Sequence, residues 1–420
     1  LLPLLFVCYV IAYVDRANVS IAKLNMAKDL PGFTNEVVGL GAGLFFIGYF
    51  LLEIPGTLLV EKWSARKWIS RIMITWGICA ALTAYVTTPW QFYGVRFLLG
   101  LAEAGFFPGV IVYLTHWFPS RDRAKALAWF FIATPVAQIV SPLLSIPLLR
   151  IGSLAPTGDT VNPLVNLGVF KVGAVQAIGD AMSMTPRFLG LVGWQWIYIG
   201  WGIPAIVLGF FVLAFLTDRP SQAKWLEPDE RVALENELRR EKAVHLAQNK
   251  HMTVLEALKH PKVLILAAAY FFIVTGNYGI EIFLPSILEK WYQLNTKLYE
   301  LEFFGTGVPI RLSLLQLMLM LPPLAALVGQ VLVGWSSDRS GERRLHTVIP
   351  IYIGSVGLFL TVVNQHPLWL AVVLFTLAAI GLKAYLPAFW SLPNLFLAEA
   401  AAAGSIGLIN SVGNLGGFLG

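Results

Sequence analysis

The chain has 420 residues, 57% hydrophobic and only 13% charged, with a mean hydropathy of +0.70 and a formal net charge of +6. Soluble domains carry about 25% charged residues, so this composition excludes a soluble domain and indicates a chain that crosses a bilayer many times. The positive balance then marks loops on one membrane side rather than a nucleic-acid surface. Cys8 and Cys79 both lie in apolar runs, which argues against a disulfide framework.

A membrane-crossing helix needs about 20 mostly apolar residues. Stretches of that kind occur at about 1–22, 37–60, 68–87, 90–117, 124–149, 194–217, 262–289, 313–335, 346–364, 368–391 and 403–420. The chain starts "LLPLLF" without Met and ends in an apolar run, so the first and last spans are expected to be incomplete. Six spans precede the polar stretch 218–261 and five follow, and a twelfth is expected beyond the C-terminus. The predicted organisation is an N-terminal six-helix bundle (1–217), a linker (218–261) and a second, truncated bundle (262–420). Within the linker an amphipathic surface helix is expected after Glu227-Pro228, because Pro suits the first helical position and acids follow it.

Orientation follows from the basic loops. "EKWSARKWISR", "FPSRDRAKA" and "SSDRSGERR", after spans 2, 4 and 8, fall on one side together with the linker, and hold most of the 30 Lys and Arg. That side is predicted to be cytoplasmic. The opposite side carries an insert at about 150–193, including the weakly amphipathic "VNLGVFKVGAVQAIGDAMS", which suits a membrane interface.

Two of the basic loops repeat a pattern. Glu61-Lys62, Trp63-Ser64 and Arg66-Lys67 after span 2 match Asp338-Arg339, Ser340-Gly341 and Arg343-Arg344 after span 8: acid, base, tight turn, two bases. Such repeats are common in transporters. Glu61, Lys62, Arg66, Asp338, Arg339 and Arg343 are therefore candidates for a cytoplasmic gate that clamps helix ends; ordinary topogenic loops explain the same charges. The two loops resemble the signature loop of the major facilitator superfamily, which implies an all-α membrane fold of two six-helix bundles. The first copy departs from that pattern, with Glu61 for the usual Asp and Thr57 and Ser64 where Gly is common.

Ionisable residues inside spans are expensive, and by default they mark function. Here they are Asp15, Arg16, Glu53, Arg96, Glu103, Glu281 and Lys383. In "YGVRFLLGLAEAGFFPG", Arg96 and Glu103 share a helix face about two turns apart. They are too distant to pair with each other and are expected to meet Asp15 and Arg16 of span 1. An arginine offers an organic anion a planar bidentate partner, and a carboxylate near it can take up and release protons as the site rearranges. A structural salt-bridge network is the competing explanation. Glycine pairs Gly39/Gly43, Gly105/Gly109 and Gly413/Gly417 suit close helix packing.

"YVDRANVSIA", "VRFLLGLAEAGFFPG", "YLTHWFPSRDRAKA", "GLVGWQWIY" and "VTGNYGIEIFLPSIL" together resemble the anion:cation symporter family, which includes bacterial organic-acid permeases of the tartrate, phthalate, 4-hydroxyphenylacetate and galactonate type. The resemblance implies that Asp15 and Glu103 carry protons, that Arg96 tunes the acid and that Arg16 contacts the substrate carboxylate. It places Tyr13 and Tyr49 on the cavity wall, and Trp390, Ser391 and Asn410 among the substrate contacts. Gln138 is offset from the Gln that grips sugar acids in galactonate-type members, which argues against a polyhydroxy substrate. Lys383 replaces an apolar residue and is a candidate second anion contact, the alternative being a snorkelling base.

The function expected is proton-coupled symport of a small carboxylate by alternating access in a bacterial inner membrane. The protein would work as a monomer with protons as the coupling ion and no other cofactor, metal or nucleic acid. An anion antiporter, a facilitator and a non-transporting sensor remain the alternatives. An enzyme is disfavoured, since neither HExxH nor GxSxG occurs and the six His are scattered.

Overall fold

The computed structural model describes residues 1–62, 64–119, 126, 129–149, 151, 187–248, 260–292, 310–363, 367–390, 392 and 399–419, with short strands within 154–184 and 298–303. The first helices are α1 (Leu2–Asp29), α2 (Asn35–Lys62), α3 (Ala65–Thr83), α4 (Pro89–Glu103), α5 (Phe106–Thr115) and α6 (Ala133–Leu148). Then come α7 (Gly193–Phe215), the linker helix α8 (Pro228–Gln248), α9 (Pro261–Tyr292) and α10 (Leu314–Ser340). The chain closes with α11 (Arg344–Val363), α12 (Leu368–Ala384), the short α13 (Leu386–Phe389) and α14 (Glu399–Leu419). Every predicted span has a helical counterpart. Helices are the natural solution in lipid, because each satisfies its own backbone donors and acceptors. Among the described residues, eight helical stretches are long and apolar enough to cross a membrane unaided.

Local chemistry sets the helix ends. Thr88 caps α4 in a reciprocal box with Gln91, and Pro89 occupies the first turn. Ser313 and Gln316 do the same for α10, whose far end stops at Gly341 in the left-handed region (φ 69°). Span 4 departs from the sequence reading: it is two helices, α4 and α5, interrupted at Ala104-Gly105. Ala104 is extended (ψ 136°) and Gly105 is left-handed (φ 82°). Gly105 thus breaks a helix immediately after the buried Glu103, a task a Cβ would oppose.

The helices before the linker meet those after it along three seams: α1 with α9, α2 with α14, and α6 with α10. At the second seam the predicted glycine pairs do their packing. A Cβ on Gly43 would lie 2.8 Å from the Phe418 ring, and one on Gly417 would lie 2.6 Å from the Phe46 ring.

The linker helix does begin at Pro228, with Asp229 and Glu230 in its first turn. Leu234 and Leu238, one turn apart, are half-buried on one face that Arg231 and Glu235 share, and Val232 is exposed. One further expectation needs correction. The insert, read as a weakly amphipathic interfacial segment, instead holds strands β1 (Leu154–Pro156), β2 (Asp159–Val161), β3 (Val165–Leu167), β4 (Phe170–Ala177) and β5 (Met182–Met184). β4 pairs antiparallel with β6 (Leu298–Phe303), from Phe170 opposite Phe303 to Val175 opposite Leu298, and β6 pairs with β7 (Ile310–Ser313). The insert between α6 and α7 and the connection between α9 and α10 therefore share a five-stranded sheet, while β1 and β5 pair with each other in a second, two-stranded one. A strand needs its partner to satisfy its backbone, and here that partner lies more than a hundred residues away. The membrane-embedded part remains all-helical.

Candidate functional site

The middle of α1 carries the site. Arg16 reaches α4 and closes on Glu103, with Nε donating to Oε1 at 2.7 Å and Nη2 lying 2.6 Å from the same oxygen. Its Nη1 donates to the Tyr278 hydroxyl on α9 at 3.2 Å, and the guanidinium lies 4.9 Å from the centroid of the Tyr49 ring. One arginine thus touches both sides of the molecule. Glu103 is 1% exposed and Asp15 is also 1% exposed. Taking two such ions out of water costs more than their attraction returns unless the geometry is excellent, so the pair needs a reason beyond stability.

Asp15 does not pair with an arginine directly. Its Oδ2 accepts from the Trp76 indole on α3 at 2.7 Å. Trp76 was not foreseen, because a tryptophan in an apolar run reads as core. Arg96 is buried at 2% exposure and packs over the Phe45 ring at 5.3 Å. Close crossing of α2 and α4 delivers these groups, since Gly48 on α2 and Gly100 on α4 each face the other helix's backbone without a Cβ. Replacing Trp76 by Phe removes the donor from a fully buried carboxylate, which costs about 1–3 kcal/mol. Thermal melting in detergent should show that loss in Trp76→Phe, and Asp15→Asn in the same background should restore most of it. No recovery would mean that indole packing, not the hydrogen bond, is what Trp76 supplies.

A second cluster lies beside the first. Glu281 on α9 is 2.8 Å from Lys383 Nζ on α12. It accepts from Tyr13 of α1 at 3.0 and 3.1 Å, from Asn277 at 2.8 Å, and from Gln138 of α6. Lys383 also donates to the Tyr13 hydroxyl at 3.1 Å. This network separates two cavities. One, about 770 Å³, is lined by Tyr13, Arg16, Tyr49, Lys383, Trp390 and Asn410 among others. The other, about 670 Å³, lies toward the sheet side and is lined by Ser20, Gln138, Glu281, Pro322 and Lys383 among others. Lys383 therefore reaches the cavity rather than snorkelling away from it.

The remaining candidates divide. Asn410 donates to Glu53 of α2 at 2.5 Å, joining the two sets of helices on the linker side of the cavity. Trp390 packs edge-on against Tyr270. Ser391, and the side chains of Glu61, Lys62 and Asp338, lie outside the described residues. In the first repeated loop, the Arg66 backbone N–H and the Ser64 hydroxyl donate to Asp218 at 2.9 and 2.6 Å, an acid at the end of the sixth span that the repeat pattern did not reveal. In the second, Arg343 donates to Ser337 at 3.0 Å and Arg339 lies over Trp335. Desolvation pushes the nearby Glu342 carboxyl up, but amide bonds from Leu345, Arg344 and His346 outweigh it and hold the group below its ordinary range. These contacts fasten each loop to its own set of helices.

The family model described as Major Facilitator Superfamily matches residues 5–156 and 167–420. The chain belongs to the Major Facilitator Superfamily. As a member it is a multi-pass membrane transporter of small molecules, not an enzyme. Over its whole length this superfamily chain is 38% identical to a candidate tartrate transporter of Agrobacterium vitis, covering 84% of that protein. It is 35% identical, again over its whole length and 85% of the relative, to a quinolone resistance transporter of Acinetobacter baumannii. A crystal structure of a D-xylose–proton symporter superposes with a TM-score of 0.67 at 14% identity, covering 99% of this chain and 87% of that one, and so shares the fold. The superfamily's two bundles are the helices before and after α8, and the Arg16 cluster lies where they meet.

Proposed function

We propose that this transporter is a proton-coupled symporter of small organic anions. The Arg16–Glu103 pair carries the reading. Arg16 is a cation on the cavity wall that contacts both bundles through charge-bearing or hydroxyl partners, beside Lys383 on the same wall, and its charge is matched by Glu103. An anion can take the guanidinium only if Glu103 withdraws, and a buried carboxylate deprived of its cation is stable only when protonated. Proton uptake by Glu103 and anion uptake by Arg16 are then one event. Asp15 is the second proton carrier and Arg96 the base that tunes the acids. Tyr13, Tyr49, Trp390, Ser391, Asn410 and Lys383 complete the substrate contacts.

The relative named for tartrate supports a carboxylate as cargo. Basic loops and α8 on one side support a cytoplasmic linker, and the bacterial relatives support an inner membrane. Transport proceeds by alternating access, with the two bundles rocking about the buried site, and needs no cofactor besides the proton; a monomer suffices. The test uses the full-length protein in liposomes with an alkaline interior and a panel of small carboxylates, with norfloxacin included. Accumulation of one carboxylate that a protonophore abolishes is the expected result. Uptake that equilibrates without accumulating, or proton-driven extrusion of norfloxacin alone, would replace symport by facilitation or by exchange.

A further inference from the structure

One ion pair on the cavity wall suffices to couple one proton to one anionic charge. The wall holds two. Glu281–Lys383 is independent of Arg16–Glu103, and its acid and base both belong to the second bundle. It sits at the same depth. Tyr13 and Arg16 are three residues apart on α1, and Tyr278 and Glu281 three apart on α9. Each interval is about one helical turn. Contacts cross between the helices, Tyr13 to Glu281 and Arg16 to Tyr278. Both cations line the same cavity.

Glu281 is also over-provided with donors. Tyr13 from α1, Gln138 from α6, Asn277 from its own helix and Lys383 from α12 all aim at it, and Arg16 and Tyr278 lie on the adjoining wall. A cradle of one cation and three neutral donors around a carboxylate is what a substrate carboxylate would require. Here a side chain fills it.

We propose that the cavity is built for a dianion: a short dicarboxylate spans Arg16 and Lys383, and in its absence Glu103 and Glu281 occupy the two cations in its place. This rests on the reading of the chain as an organic-anion transporter and adds the charge class of the cargo. Charge balance fits. The four groups sum to zero when ionised, and two further negative charges are admitted only when both displaced carboxyls become neutral. A monoanion on Arg16 leaves Glu281–Lys383 closed, and with it the contact that ties α1 and α6 to α9 and α12.

The test measures binding to the purified full-length protein by isothermal titration, with probes matched in carbon count. Succinate is compared with butyrate, and phthalate with 2-methylbenzoate. We expect the wild type to prefer the dicarboxylate of at least one pair by about tenfold or more, the worth of one additional charge-assisted contact. In Lys383→Met the ratio should fall toward one. That variant leaves Glu281 without its cation, so Glu281→Gln/Lys383→Met, which restores neutrality, is measured beside it and should show the same collapsed ratio. Equal affinity for both members of each pair in the wild type would overturn the dianion site and leave anion transport standing. So would a double variant that keeps the wild-type ratio. Binding of none of the four probes, at any pH between 5 and 8, would overturn the anion reading and this inference with it.

Discussion

Glu103→Gln should cut proton-driven accumulation about tenfold while exchange continues. A pH unit is worth about 1.4 kcal/mol per coupled proton, so each proton converts one unit of gradient into about tenfold accumulation. Gln is close to the size of Glu and can still accept from Arg16, but it neither takes up nor gives up a proton. The guanidinium is then permanently without a charged partner and available to the anion. In liposomes with a one-unit gradient, accumulation should drop about tenfold, the share of the one proton that Glu103 carries. Counterflow, in which labelled substrate exchanges for unlabelled, needs only that the loaded carrier move between its two states, and should persist. The break at Ala104-Gly105, directly after Glu103, lets the acid withdraw without unwinding a longer helix. If Glu103→Gln concentrates substrate as far as the wild type does, Glu103 is scaffolding and the coupling lies elsewhere.

Arg16 is the other position of large effect. Arg16→Lys keeps the charge but loses the fork that bonds Glu103 through two nitrogens and Tyr278 through the third, along with the stack on Tyr49. Losing one charge-assisted bond costs about 1.5–3 kcal/mol, so affinity for a carboxylate should fall roughly 10- to 100-fold. Arg16→Met does something different. It strands Glu103 in a buried site, which typically costs about 3–5 kcal/mol in stability. Arg16→Met/Glu103→Gln should regain most of that in a thermal melt while remaining unable to bind. A double variant that melts no higher than Arg16→Met would show that the pair does not determine stability in the way described.

Much of the fold was legible because bilayer physics is blunt. A run of about 20 apolar residues has one common interpretation, and the eleven runs became helices or helix pairs. The charges were legible for the same reason: an Asp-Arg pair in such a run, and an Arg and Glu two turns apart in another, stand out against their surroundings. Their pairing was only half legible. Arg16 does meet Glu103, but Asp15 turned to an indole that no pattern distinguishes from core. Glu281 and Lys383 each stood out alone, yet nothing along the chain says that residues 102 positions apart touch. Gly105 looked like a packing residue because spacing records where glycines are, not their backbone angles. The strands were illegible because a strand is defined by a neighbour, and β4 and β6 lie in separate loops.

That last pairing carries a consequence for anyone recombining this chain. β4 belongs to one bundle's connection and β6 to the other's, so the hydrogen-bond ladder from Phe170–Phe303 to Val175–Leu298 has two independent owners. Shorten either loop alone and the remaining one presents a bare edge, a template for pairing with another molecule. The two loops are therefore a single heritable trait written in two places, to be transplanted together or removed together.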